Sequence, residues 1–195
     1  EATGWDQIAL SSAFAALSYL ALTGYDGLAL RQLHLRVPYR TTALASFTSY
    51  AISFTLGFPI ITGGTVRYWI YSQKGVSAAK VASLTVIAGV TFWLGMTIVV
   101  GAALVFDPVG IAEINHLKVS VNIAMGLGIL AAIFVYFAWV SLGHRRTRIQ
   151  GLTLELPGFW LTLSQMLLGV CELCCAASCL YALLPKGHGA DPITF

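Results

Sequence analysis

The sequence is poor in charged residues, which make up only 10% of its 195 residues. A soluble domain has about 25% charged residues, and the mean hydropathy of this chain is +0.80. The shortage of charge excludes a disordered chain and an ordinary soluble domain. A net charge of +3 is too small for a broad nucleic-acid-binding face, and 4 cysteines are too few for a disulfide scaffold. The class that is left is a membrane protein.

Long apolar runs stand where the charges are missing. A helix needs about 20 mainly apolar residues to cross roughly 30 Å of hydrocarbon. Four segments are long enough to cross, and they lack the alternating pattern of a lipid-facing β-barrel: 8–30, 80–106, 119–142 and 159–184. We therefore predict an all-α, polytopic membrane protein with four full crossings.

The segment 41–71 is also long enough to cross, but it is polar and interrupted. Serine and threonine are scattered through its first half, and Gly57, Pro59, Gly63 and Gly64 then follow in quick succession. Because proline removes a backbone donor and glycine loosens a helix, we predict a hinge at these four residues. Inside a membrane, such a break is tolerated only where it is buried in protein or lines a watery cavity.

The positions of the basic residues indicate that this segment turns back instead of crossing. Basic clusters lie at 31–40, 67–80 and 145–148, whereas the loop 107–118 is acidic. Basic loops favour the cytoplasmic face, and all three share one face only if 41–71 is a re-entrant hairpin of two half-helices. The alternative is five plain crossings with a weak charge bias, because this rule is statistical.

Three ionisable residues lie inside the apolar segments: Asp26, Arg67 and Glu172. Such residues usually face the interior of a helix bundle. We predict that Asp26 holds Arg67 by a charge-assisted hydrogen bond, and that Arg67 binds a lipid phosphate beside the N-terminus of a short helix starting near Thr65. The alternatives are an interfacial acid for Asp26 and a phosphate anchor at the membrane surface for Arg67.

Glu172 has three interpretations from its position alone. It lies on the path of a lipid headgroup, pairs with an arginine outside this sequence, or forms a structural hydrogen bond to a neighbouring helix. Four cysteines surround it at helical spacing: Cys171, Cys174, Cys175 and Cys179. Metal ligation is conceivable, but small, soft residues are ordinary at helix contacts, and we expect neither a metal nor a cofactor.

Four runs of the sequence resemble one family: ALSYLALTGYDGLALRQL, PYRTTALASFTSYAISFTLGF, TGGTVRYWIYSQKGVSAAKV and TFWLG. They are similar to the transmembrane flippase domain of bifunctional lysylphosphatidylglycerol synthetase/flippases, or multiple peptide resistance factors. The resemblance is specific over residues 17–95 and looser up to residue 185. It implies a multi-pass protein of the bacterial cytoplasmic (inner) membrane that displays aminoacylated phosphatidylglycerol on the outer leaflet. This display protects against cationic antimicrobial peptides.

The resemblance also implies roles for residues and partners. Asp26 and Arg67 match positions important for flipping, and Glu172 matches an acid of a later helix. The expected partners are anionic and aminoacylated phospholipids, the membrane, and further copies of the chain in a homo-oligomer. One departure is Trp69, where many members have a further basic residue, and this makes the anion site less positive.

The cytoplasmic synthetase domain of the family is absent from this sequence, which we expect to be a piece of a longer protein. We therefore expect neither transferase chemistry nor a nucleic-acid partner for this segment. An alternative function is a membrane anchor or assembly module that positions a phosphatidylglycerol aminoacyltransferase without transporting lipid. A lipid-modifying enzyme is disfavoured, because no pair of a nucleophile and a base is evident.

Overall fold

A computed structural model describes residues 4–142, 146–149, 152–155 and 158–184. The elements in these ranges are helices α1 (Trp5–Gln32), α2 (Tyr39–Leu56), α3 (Pro59–Ser72), α4 (Ala78–Phe106), α5 (Pro108–Asn115) and α6 (Val119–Ser141), strands β1 (Arg146–Ile149) and β2 (Leu152–Glu155), and helix α7 (Phe159–Ala182). Helices α1, α4, α6 and α7 are long and apolar enough to cross a membrane. The chain is therefore an all-α, multi-pass membrane protein, as predicted from its apolar runs.

Helices α2 and α3 form the hairpin predicted over 41–71. Helix α2 ends at Leu56 and α3 begins at Pro59, so the break falls on Gly57 and Phe58, whose φ angles are 79° and 51°. Glycine adopts such positive angles at little steric cost, which explains its place at the break. The open end of the hairpin, opposite the turn at Gly57 and Phe58, packs into one core with the end of α1 and the start of α4. The hairpin thus enters and leaves at the same end of the bundle.

The predicted hinge was too long, because Gly63 and Gly64 lie inside α3. A Cβ atom on Gly63 would lie 2.7 Å from Ser53 Oγ and 3.1 Å from Arg67 Nη1. Gly63 therefore lets α2 approach α3 closely, which is a packing role typical of small residues in membrane helices. Pro59 stands in the first turn of α3, where its missing N–H breaks no helical hydrogen bond.

The predicted start of a short helix near Thr65 is also wrong. Thr65 lies in the middle of α3, which begins six residues earlier at Pro59. Arg67 is eight residues into the helix, so the N-terminal end of α3 is about 12 Å from it along the axis. The positive end of the helix dipole acts only within the first turn. It therefore does not share an anion site with Arg67.

Helix α1 runs antiparallel to both α4 and α7. Near its start, Gln7 donates hydrogen bonds to the backbone oxygens of Ala182, the last residue of α7, and Leu184, two residues past its end, at 3.1 and 2.9 Å. Near its end, Leu30 shares a core with Leu84 in the first part of α4. The end of α1 and the starts of α4 and α7 therefore lie together, and we call this the basic end of the bundle.

The basic loops meet at this end. They connect α1 to α2, α3 to α4, and α6 to α7 through the antiparallel strands β1 and β2, in which Arg146 is opposite Glu155. Their basic residues are Arg31, Arg36, Arg40, Lys74, Lys80, Arg146 and Arg148; Arg145 lies outside the described residues. The strand pair and the short helix α5, capped by Asp107 at Gly110 N, are additions that the apolar runs did not predict.

Candidate functional site

Asp26 and Arg67 form a buried ion pair between α1 and α3. Arg67 donates from Nε to both carboxylate oxygens of Asp26, at 3.1 and 3.0 Å, and from Nη2 to Oδ1 at 2.8 Å. Asp26 is 0% exposed and Arg67 is 3% exposed. Hydrogen bonds between two charged groups are among the strongest in proteins. The predicted contact is confirmed, and the two alternatives, an interfacial acid and a surface anchor, are wrong because both side chains are buried.

Two tyrosines complete the surroundings of the ion pair. Tyr71, one helical turn after Arg67, donates its hydroxyl to Asp26 Oδ2 at 2.9 Å. Tyr50 of α2 places its ring 4.7 Å from the central guanidinium carbon of Arg67, which is a cation–π contact. Sequence reasoning missed both residues. The spacing of four residues between Arg67 and Tyr71 was the one available signal, since such residues share a helix face.

The ion pair lies toward the basic end of the bundle. Asp26 is six residues before the end of α1, and Arg67 is five residues before the end of α3. At 1.5 Å per residue, the pair is about 8–9 Å inside this end. A single charge at such a place would be costly, whereas two opposite charges with good hydrogen-bond geometry compensate each other.

Glu172 lies near the middle of α7 and faces α1. Ser18 Oγ donates to its Oε1 at 3.1 Å, and the Tyr25 hydroxyl donates to its Oε2 at 3.3 Å. In the described part of the chain, no lysine or arginine forms an ion pair with it. The geometry matches the interpretation of Glu172 as a hydrogen bond to a neighbouring helix. Its place on a headgroup path stays a prediction.

These contacts belong to a longer row of polar contacts between α1 and α7, which we call the polar seam. Its members are Gln7, Ser11, Ser18, Tyr25 and Gln32 of α1 and Gln165, Glu172 and Cys179 of α7. From Ser11 to Gln32, and from Gln165 to Cys179, the spacing is seven residues, as in helices that pack along a coiled-coil seam. The seam follows both helices over most of their length.

The polar seam and the ion pair are joined by aromatic contacts. Tyr25, which holds Glu172, packs edge-on against Tyr50 with their ring centroids 6.4 Å apart. Tyr50 in turn covers Arg67. The two buried carboxylates of this region are therefore linked through two tyrosine rings. Gln165 Oε1 is a buried acceptor of the seam that has no hydrogen-bond partner.

The four cysteines of α7 are free, and Cys171 and Cys174 are exposed. Cys179 accepts or donates one hydrogen bond with Ser11 at 3.1 Å in the polar seam. Within the described ranges, no group of three or more histidine, cysteine or acidic side chains is placed to hold a metal ion. The cysteines thus act in the fold as small residues of a helix surface.

Comparison with known proteins finds a relative whose own function is not described. No protein-family model matches the chain. The chain is 33% identical over 182 residues to an uncharacterized protein of Synechocystis sp., and the match covers 92% of this chain and 56% of that relative. The chain thus spans about half the length of the curated relative that it matches.

Proposed function

We propose that the chain is part of a lipid flippase of the bacterial cytoplasmic membrane. In this proposal it moves aminoacylated phosphatidylglycerol, such as lysylphosphatidylglycerol, from the inner to the outer leaflet and so protects against cationic antimicrobial peptides. The observation that carries the proposal is the Asp26–Arg67 ion pair, buried between a full crossing and a hairpin that does not cross. The resemblance of the runs around both residues to flippase domains supports it.

The ion pair has the chemistry that this headgroup needs. An aminoacylated phosphatidylglycerol carries a phosphate and at least one ammonium group. When Arg67 exchanges Asp26 for the phosphate, Asp26 becomes free to receive the ammonium. One buried ion pair is then replaced by two, so the phosphate and one ammonium group are both compensated, which lowers the cost of moving these charges through hydrocarbon. In the structure the two side chains bind each other directly.

The position of the pair suits the collection of a lipid from one leaflet. By the positive-inside rule, the basic end is the cytoplasmic end, which places the pair at the depth of the inner leaflet. The hairpin of α2 and α3 carries Arg67 and enters and leaves at this end. It can therefore tilt away from α1 without drawing a polar loop through the hydrocarbon, and this movement separates Arg67 from Asp26.

The proposal is tested by replacing Arg67 in the full-length protein, expressed in bacteria that make lysylphosphatidylglycerol. Arg67→Ala is expected to abolish the labelling of lipid amines on intact cells by a membrane-impermeant reagent, while the total amount of the lipid in extracts is unchanged. Arg40→Ala is the matched control, because Arg40 is an exposed arginine at the start of α2. Undiminished labelling in a stably inserted Arg67→Ala variant would overturn the proposal.

A charge-reversed variant covers the case in which Arg67→Ala does not insert. Asp26→Arg combined with Arg67→Asp keeps a buried ion pair but reverses where the phosphate and the ammonium would bind. We expect this double variant to insert and yet to leave the lipid on the inner leaflet. Full export by the reversed pair would mean that the pair only fastens the hairpin to α1.

That outcome would favour the second candidate function, a membrane anchor for a phosphatidylglycerol aminoacyltransferase that transports nothing. The observation in its favour is that Arg67 is 3% exposed and binds Asp26 from two nitrogens, as expected for a purely structural contact. The anchor predicts that lipid export is indifferent to every substitution of Asp26 and Arg67 that preserves folding.

A further inference from the structure

Glu172 is a buried acid that is surrounded by neutral groups. It is 6% exposed, and its two hydrogen bonds come from the hydroxyls of Ser18 and Tyr25 on α1. The ionisable groups near it on packed elements are Tyr25 of α1, Tyr50 of α2, and Cys171, Cys174 and Cys175 of its own helix, while α4 meets α7 at Gly95 and Thr91. Two neutral hydrogen bonds do not compensate a negative charge in hydrocarbon.

Another group of the polar seam is incompletely satisfied, because one of its acceptors has no hydrogen-bond donor. Gln165 is 1% exposed, its Nε2 donates to Gln32 Oε1 at 3.3 Å, and its own Oε1 has no partner. It lies two helical turns from Glu172 on the same face of α7, about 10 Å nearer to the basic end. The two deficits are related, since the Glu172 carboxylate has no positive charge beside it and Gln165 Oε1 has no N–H donor. A buried acceptor of this kind is costly.

We infer that the polar seam between α1 and α7 is a binding site for a primary ammonium group, with Glu172 as its counter-ion. An ammonium group beside Glu172 supplies the missing positive charge, and its N–H donors are of the kind that Gln165 Oε1 lacks, although the two acceptors lie about 10 Å apart and would each bind a separate donor. Ser18 and Tyr25 keep their hydrogen bonds to the carboxylate and fix its orientation. Cys171 and Cys174 flank Glu172 on α7 and are exposed, so the carboxylate lies close to the surface of the bundle.

The depth of this site gives it a role in the proposed function, on which this part of the inference rests. Glu172 is 13 residues from the start of α7, or about 20 Å from the basic end, whereas Asp26 is about 9 Å from it. The two carboxylates thus lie at different depths and are connected through Tyr25 and Tyr50. The amino group of an aminoacylated headgroup would meet Asp26 first and Glu172 second.

Cys175 serves as the reporter, because it lies one turn from Glu172 on α7 and is half-buried. The full-length protein with Cys171→Ala, Cys174→Ala and Cys179→Ser, which keeps a hydrogen-bonding group opposite Ser11, is placed in nanodiscs of phosphatidylglycerol, with or without lysylphosphatidylglycerol, and the rate of maleimide labelling is measured. We expect the lysyl lipid to slow labelling about tenfold when it is present at about ten times its Kd. Glu172→Gln should remove this protection, Glu172→Asp should retain part of it, and Glu113→Gln on α5 should leave it unchanged.

Two further ligands separate the ammonium from the rest of the lipid. Lysylphosphatidylglycerol acetylated on both its α- and ε-amines should give no protection, because it has no free ammonium. Lysine methyl ester in solution tests whether a free amine binds equally well; protection by the ester alone would assign the site to a soluble amine and overturn its place on the lipid path. Equal protection in Glu172→Gln, or by the acetylated lipid, would overturn the site itself.

The same nanodiscs keep this inference distinct from the proposed function. Arg67→Ala should stop export in cells and yet leave the protection of Cys175 intact, because the lipid is present in both leaflets of a nanodisc. If the unsubstituted protein exports no lipid but its Cys175 is protected in a way that depends on Glu172, the ammonium site stands and the flippase proposal is refuted. Export without any protection would refute the site alone.

Discussion

Asp26 and Glu172 are two buried acids in the same bundle, and they are held in opposite ways. Asp26 binds a guanidinium and a tyrosine hydroxyl and is 0% exposed. Glu172 binds two hydroxyls, meets no cation of the described residues, and is 6% exposed. The difference shows that the first acid is fully compensated by the protein, whereas the second is compensated only in part. Substitutions should therefore separate a residue that stabilises the fold from one that awaits a ligand.

The largest effect is expected from Asp26→Ala. The substitution leaves Arg67 buried without a counter-ion, and the loss of one partner of a buried pair costs about 3–5 kcal/mol of unfolding free energy. Denaturant unfolding in detergent micelles measures this loss. Combining Asp26→Leu with Arg67→Met should recover most of the stability, because a well-packed apolar pair replaces both charges. A single variant as stable as the parent would show that the pair opens freely.

A smaller effect is expected from removing the tyrosine hydroxyls. Tyr71→Phe removes a hydrogen bond of 2.9 Å to Asp26, which a charged acceptor makes worth about 1.5–3 kcal/mol. Tyr25→Phe removes a longer bond of 3.3 Å to Glu172 and should cost about 1 kcal/mol. Both losses are measured by the same unfolding assay. A larger loss for Tyr25→Phe than for Tyr71→Phe would mean that the protein compensates Glu172 more strongly than Asp26, the reverse of what we propose.

The smallest effect is expected from Glu172→Gln. The amide oxygen of glutamine still accepts one of the two hydrogen bonds, its NH2 group can donate to the other hydroxyl oxygen, and no described cation loses its partner. The unfolding free energy should therefore change by less than about 1 kcal/mol. A loss of several kcal/mol in this assay would mean that Glu172 is paired with a cation from beyond the described residues, and would make the two acids alike.

Much of the architecture was predictable from the sequence, because charge is so scarce in it. With few charges available, the positions of Arg31, Arg40 and Lys80 decided that 41–71 returns to its own side, and the hairpin of α2 and α3 does so. The contact between Asp26 and Arg67 was predictable for the same reason. Two isolated, opposite charges in apolar helices have few other ways to be compensated.

The rest of the site depends on three-dimensional packing that leaves little trace in one sequence. The chain has 8 tyrosines, and of the two that contact the ion pair only Tyr71 has a signal, its spacing of four residues from Arg67, whereas nothing in the sequence marks Tyr50. Gly63 was predicted as a hinge because glycine loosens a helix and also permits close packing, and the sequence does not distinguish the two uses. The polar seam could not be predicted from either helix alone, because it appears only when the polar residues of α1 and α7 face each other.

The return of the hairpin to its own side has a consequence for how such a protein can change. The hairpin adds no crossing, so its insertion, shortening or replacement does not invert the orientation of α4, α6 and α7. A transmembrane helix added at the same point would turn every later loop to the opposite face. The part of the chain that carries Arg67 is thus free to diverge in evolution while the sidedness of the scaffold is preserved.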